Sequence, residues 1–145
     1  MNLNEEVRLA KGDVLFRDGD KADKLYIIKS GKLACFNQNG NSKVVFFVAL
    51  ENEIVGEEGV LSEKNKHTYN VICLENSVLS IVNADLIESV IQSKAPWIRK
   101  ILGNISQKTM NTKSVIVEHV IRDCPVDQGR PLSDNDLATL NSFTE

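Results

Sequence analysis

The chain has 145 residues, of which 42% are hydrophobic and 26% charged, and its formal net charge is −3 at pH 7. These values are typical of a globular domain with a core of its own. The acidic balance argues against a nucleic-acid binder, which usually has a basic face, and no apolar run reaches the ~18 residues of a membrane span.

The first part of the chain, from residue 7 to residue 82, is predicted to form short strands separated by turns. Apolar and β-branched runs mark five of these strands, at residues 25–29, 32–36, 43–50, 68–74 and 77–82. Turn residues separate them, for example Ser30-Gly31 and the run "NQNGNS". Many short strands at close spacing predict a small antiparallel sandwich or roll.

Two helices are predicted next. Asn83 is a good N-cap for a helix over residues 84–93, and Pro96 is a good first residue for a longer helix over residues 96–121. Apolar side chains recur along the longer helix at Trp97, Ile98, Ile101, Leu102 and Ile105, which indicates a core or interface face. Residues 122–145 are predicted to be a polar tail or a linker, with one weak amphipathic segment at 137–143.

Cysteine and histidine usage argues against catalysis and metal binding. The three cysteines are far apart and form no CxxC pair, and the two histidines, His67 and His119, have no nucleophile at motif spacing. We therefore expect no enzyme, no metal site and no cofactor. Cys35 and Cys73 lie in strand-like runs and are expected to be buried thiols, which fits a reducing, cytoplasmic location.

The stretch "VGEEGVLSEKNKHTYNV", residues 55–71, has the features of an anion site. Gly56 permits a sharp turn, and the next residues suffice for one helical turn whose first N–H groups lack partners and attract an anion. Glu57 can accept hydrogen bonds from sugar hydroxyls. A cation at the start of the next strand would reach the same anion, and His67 occupies that position.

Two segments resemble the cyclic nucleotide-binding domain family. "GDVLFRDGDKADKLYIIKSGKL" is similar to the opening of its β-roll, and "VGEEGVLSE" is similar to its phosphate-binding cassette. The resemblance covers residues 7–121. It implies a mainly β fold, an antiparallel β-roll or jelly roll followed by a long C-terminal helix, in a domain at residues 1–121. The implied ligand is cAMP or cGMP.

The resemblance also implies which residues bind the ligand. The cassette glutamate, matched by Glu57, accepts from the ribose 2′-hydroxyl, and nearby amides face the cyclic phosphate. The implied ligand-binding set is Gly56, Glu57, Glu58, Gly59, Val60, His67 and Thr68. His67 stands where the family has an arginine, and losing one charge-assisted hydrogen bond costs about 1.5–3 kcal/mol, roughly ten- to a hundredfold in affinity. We expect His67 to be an altered but usable phosphate partner that charges near its ordinary pKa of about 6.5.

The long helix carries the remaining expectations. By resemblance, a polar residue midway along it contacts the base, and the matching residues are Asn111, Thr112 and Ser114. We expect the helix to mediate a homodimer and to transmit ligand occupancy. No two-helix pattern follows it, so DNA binding by this chain alone is not expected. Two alternatives remain open: a scaffold that binds no nucleotide, and a pocket for another anion such as a cyclic dinucleotide.

Overall fold

The computed structural model of the protein describes residues 5–94, 96–119 and 131–144. The strands are β1 (Glu6–Leu9), β2 (Val14–Phe16), β3 (Lys24–Ser30), β4 (Leu33–Asn39), β5 (Ser42–Ala49), β6 (Ile54–Val55), β7 (Asn70–Cys73) and β8 (Ser77–Asn83). The helices are α1 (Glu57–Leu61), α2 (Ala84–Lys94), α3 (Pro96–His119) and α4 (Asp134–Asn141).

The strands form two four-stranded sheets in which every pairing is antiparallel. Sheet one has the order β1-β8-β3-β6, and sheet two has the order β2-β7-β4-β5. The predicted antiparallel β-roll followed by a long helix is therefore confirmed. The predicted strand over 68–74 is shorter in the structure, because its first residues leave the ladder to reach the turn beside β2.

Side chains on the two faces of sheet two enter different apolar clusters. Leu33 and Cys35 of β4 point between the sheets, into the roll core, whereas Ala34 and Phe36 point outward, as the alternation of a strand requires. The roll core also contains Ile28 and Leu79 of sheet one. A third cluster joins the outer face of sheet one to α1 and α2. The β-roll is therefore apolar on both faces of both sheets.

Helix α3 packs against α1, α2 and β4, with Ile98 and Leu102 of the predicted apolar stripe half-buried. Among the side chains of α3 that the structure describes, those of Ser106 and Met110 are buried. Three residues of the predicted apolar stripe are exposed: Trp97 by 65%, Ile101 by 47% and Ile105 by 56%. Within this chain, Trp97 is therefore not a core residue. None of the helices in the described ranges is both long enough and apolar enough to span a membrane.

The C-terminal segment, residues 131–144, packs on the outer face of sheet two. Its helix α4 starts with a capping box, in which the Ser133 side chain accepts from the Asp136 N–H and the Asp136 carboxylate accepts from the Ser133 N–H. Leu140 and Phe143 complete the outer cluster with Ala34 and Phe36. The weak amphipathic pattern expected over 137–143 thus corresponds to a docked helix.

Candidate functional site

The candidate site begins where β6 meets α1. Gly56 has a φ of 91°, in the left-handed region, and α1 starts at the next residue. The Gly56 N–H donates to the buried Tyr69 hydroxyl at 2.9 Å. This confirms the expected single helical turn directly after a glycine.

Two glycines make room for the imidazole of His67. A Cβ at Gly56 would lie 3.2 Å from His67 Cε1, and a Cβ at Gly59 would lie 3.0 Å from His67 Nδ1. A Cβ at Gly59 would also lie 2.7 Å from the Ala22 side chain. The glycines expected to face the phosphate therefore also provide the space that His67 fills.

Contacts from a distant part of the chain hold His67 in place. Its ring stacks on the Phe16 ring with centroids 3.7 Å apart and planes 8° apart. Its backbone N–H donates to Asp20 O at 2.8 Å, and its carbonyl accepts from the Gly19 N–H at 2.8 Å. His67 is only 3% exposed. The sequence did not indicate Phe16 or this turn as part of the site.

Burial determines the charge of His67. Desolvation lowers its pKa to about 4, and the carboxylates of Asp20 and Asp23 oppose the shift only in part. The expected pKa near 6.5 is therefore wrong for the ligand-free protein. At neutral pH the imidazole is uncharged and offers a hydrogen bond without a charge.

Several polar atoms at this end of the roll are buried without a hydrogen-bond partner among the described residues. They are His67 Nδ1, Thr68 Oγ1 and Asn37 Oδ1. The Asn37 amide is oriented by its own bond, since Nδ2 donates to Thr68 O at 2.8 Å. Buried polar atoms are almost always paired in native proteins, so these three mark a place where a ligand can complete the pairing. The sequence signal for Asn37 is that it is a polar residue on the inward face of β4.

The glutamates and amides of α1 differ in what they can offer. Glu57 is half-buried, and Glu58 is buried. The Val60 N–H donates to Gly56 O at 3.3 Å, within the helical turn. Of the expected amides, those of Glu58 and Gly59 therefore lie at the start of the turn, and that of Val60 is used inside it.

The expected base contacts lie farther along α3. Asn111 is exposed, and its Oδ1 accepts from Gln107 Nε2 at 3.1 Å. The side chains of Thr112 and Ser114 lie outside the part of the chain that the structure describes. The described α3 residues that are buried toward the roll are Ser106 and Met110.

Across residues 5–94, 96–119 and 131–144, no group of three or more His, Cys, Asp or Glu side chains is placed to hold a metal ion.

Comparison with known proteins places this geometry in a family. A sequence profile of the cyclic nucleotide-binding domain matches residues 6–94. No curated protein matches the chain. Among solved structures, the EAL enzyme Bd1971 in its cAMP-bound form is similar with a TM-score of 0.68 and 19% identity, over 81% of this chain and 32% of that one. The chain thus spans about a third of that enzyme.

Two further structures show the same fold. The Thermus thermophilus catabolite activator protein has a TM-score of 0.56 and 17% identity, over 80% of this chain and 52% of that one. The regulatory domain of Toxoplasma gondii PKA with cAMP has a TM-score of 0.59 and 23% identity, over 67% of this chain and 37% of that one. Since the profile match at residues 6–94 covers more than half of the 145 residues, the chain belongs to the cyclic nucleotide-binding domain family.

Proposed function

We propose that this chain is a regulatory module that binds a cyclic mononucleotide, cAMP or cGMP, at the cassette around α1. The observation that carries the proposal is the group of buried atoms without hydrogen-bond partners in the described structure, above all His67 Nδ1 and Thr68 Oγ1, next to the turn that starts at Gly56. Similar folds solved with cAMP or cGMP bound support it.

Each group has a role in this proposal. The Glu57 carboxylate accepts from the ribose 2′-hydroxyl, and the amides of Glu58 and Gly59 donate to the phosphate. Neutral His67 donates one hydrogen bond from Nδ1, as the tautomer that carries its proton there, and the Thr68 hydroxyl adds a second. Without the fork and permanent charge of an arginine, we expect affinity to be about ten- to a hundredfold weaker than with one.

Transmission runs through α3 in this proposal. The helix packs against α1, so a ligand that moves α1 changes the surface on which α3 rests. The exposed Trp97, Ile101 and Ile105 lie one turn apart on the opposite side of α3, which is suited to a second copy of the helix.

A specific observation favours the second candidate, a scaffold that binds no nucleotide. The His67 ring is neutral, stacked on Phe16, and packed against two glycines, as a core side chain would be. In a scaffold, this packing is permanent, and no ligand forms a hydrogen bond with His67 Nδ1.

Calorimetry of the purified chain against cAMP, cGMP and a cyclic dinucleotide separates these candidates. Saturable binding of a cyclic mononucleotide is the expected result. Absence of heat at every tested concentration of both mononucleotides would reject the proposal in favour of the scaffold, and binding of the dinucleotide alone would change the ligand class.

The variant that tests the cassette directly is Glu57→Ala. Removal of a hydrogen bond to a charged acceptor should weaken mononucleotide binding by roughly ten- to a hundredfold, while the unfolding temperature stays close to that of the wild type. Glu63→Ala is the matched control, because Glu63 is exposed just after α1. Equal affinities for the two variants would remove Glu57 from the site.

A further inference from the structure

The C-terminal segment, residues 131–144, is attached to sheet two by several independent contacts. The Phe143 ring meets the Phe36 ring edge-on, with centroids 4.9 Å apart and planes 89° apart. Lys32 forms an ion pair with Asp136 of α4, and Lys11 donates to the Asn135 side chain. Apolar burial and polar anchors together indicate a specific docked position.

The end of this segment is bound by Arg17, the residue that follows β2. The guanidinium carbon of Arg17 lies 4.6 Å from the centroid of the Phe143 ring, and its Nη1 donates to Thr144 O at 2.8 Å. A cation over an aromatic face and a hydrogen bond to a carbonyl reinforce each other at this point. Arg17 therefore binds the last residues of the docked segment.

The turn that contains Arg17 is also bound to the cassette. It is closed by a bond from Asp20 N to Arg17 O at 3.0 Å, and Arg17 N donates to Asp20 Oδ2 at 2.9 Å. The same turn exchanges two backbone hydrogen bonds with His67. The preceding residue, Phe16, stacks on the His67 ring from inside the roll. Neighbouring residues therefore touch the cassette on one face of the sheet and the C-terminal segment on the other.

We propose that the C-terminal segment is a second output element, whose docking on sheet two is coupled to occupancy of the cassette through residues 16–20. The proposal rests on the proposed function. A nucleotide that pairs with His67 changes the position of the imidazole ring on which Phe16 stacks. Because Arg17 follows Phe16 at the end of β2, the position of Arg17 changes with it. Because coupling between two binding events is reciprocal, loss of docking changes nucleotide affinity by the same factor as nucleotide changes docking.

The first test needs no nucleotide. The chain has only two histidines, so the imidazole signals of His67 are readily assigned by nuclear magnetic resonance. Phe143→Ala and Arg17→Ala should both shift the His67 ring signals. Lys29→Ala is the control, because it removes an exposed ion pair with Glu6 that lies within sheet one and does not involve the C-terminal segment. His67 signals that stay at the wild-type positions in both test variants would overturn the coupling.

The second test adds cAMP or cGMP. We expect Phe143→Ala and Arg17→Ala to weaken binding by about fivefold or more, the lower range of allosteric coupling, and Lys29→Ala to leave it unchanged. Hydrogen exchange of amides 134–144 should slow on nucleotide addition in the wild type and respond less in Arg17→Ala.

The two proposals fail in different ways. Wild-type affinity in both test variants, with exchange of 134–144 unaffected by nucleotide, would overturn the second output while leaving the sensor intact. If no nucleotide binds at all, the proposed function fails, and the ligand-free shift of the His67 signals still decides whether the segment and the cassette communicate.

Discussion

His67 differs from an arginine in where its side chain can go. An arginine carries a permanent charge on a long stem, and burying that charge without a partner is costly. The imidazole is compact and can be neutral, so it packs against Gly56, Gly59 and Phe16 and remains buried. As a result of this packing, the Nδ1 atom of His67 is buried without a hydrogen-bond partner among the described residues.

The depressed pKa of His67 makes the fold sensitive to acid. The folded form has a pKa of about 4 and the unfolded form about 6.5, so between these values the unfolded chain binds more protons and folding stability falls as pH falls. From pH 7 to pH 5 we expect His67 to account for a loss of about 2 kcal/mol. Urea unfolding of wild type and His67→Gln at both pH values measures it. An equal loss in the variant would show that His67 does not titrate in this way.

The same shift moves the pH range in which His67 assists an anion. A histidine with its ordinary pKa of about 6.5 would let anion binding tighten as the pH falls from about 8 to about 6. The pKa of His67 is about 4 when no anion is bound. As the pH falls, binding therefore begins to tighten only at the pKa that His67 has with the anion bound, and it stops tightening near pH 4. At neutral pH the neutral ring has to act by its hydrogen bond alone.

Among the connecting elements, the turn between β3 and β4 is fixed by a single glycine. Gly31 has a φ of 110°, and a Cβ there would lie 2.1 Å from Ser77 Oγ and 2.7 Å from Ser77 Cα. Gly31→Ala should therefore lower the free energy of unfolding by about 2–4 kcal/mol.

Gly40→Ala is the matched control for this turn. Gly40 also has a positive φ, of 61°, but a Cβ there would meet nothing within 4 Å. We expect a cost of about 1 kcal/mol, from the backbone conformation alone. Chemical denaturation gives both values, and similar losses would mean that the crowding at Ser77 is relieved by a small shift.

Helix α3 leads to a prediction about assembly. If its exposed apolar residues form a dimer interface, then Ile101→Glu places a charge in the centre of that interface and should give monomers at tens of micromolar. Gln107→Glu adds the same charge on another exposed side of α3 and should leave the dimer intact. Sedimentation equilibrium compares the two. A wild-type chain that is itself monomeric, with and without nucleotide, would reject the interface.

At the scale of the whole molecule, local patterns predicted the elements, but not the contacts between distant ones. The apolar run in "KLACF" predicted β4, and the glycine before Glu57 predicted the turn of α1. The stack of Phe16 on His67 and the contact of Arg17 with Phe143 join residues that are far apart in the chain, and no local period encodes them. For the same reason, the apolar stripe of α3 could be predicted from its spacing, but not which of its residues face solvent.

Two cysteines in the roll core can report when the two sheets separate. Cys35 and Cys73 lie between the sheets and are 3% and 0% exposed, and burial raises the pKa of Cys73 to about 11. The prediction that they are buried thiols is confirmed. A thiol reagent should reach them only when the sheets separate, so their labelling rate in a Cys124→Ser background reports unfolding of the roll.

Nucleotide should slow this labelling if the chain is a sensor. A ligand at a hundred times its dissociation constant stabilises the folded form by about 2.7 kcal/mol, which reduces the open population by about a hundredfold. We therefore expect labelling of Cys35 and Cys73 to slow by about that factor at saturating cAMP or cGMP, and Glu57→Ala to need more nucleotide for the same protection. An acyclic nucleotide monophosphate serves as the control, because it adds the same kind of charge without the cyclic phosphate. Labelling that stays equally fast at every concentration of both cyclic nucleotides would leave the scaffold as the function of this fold.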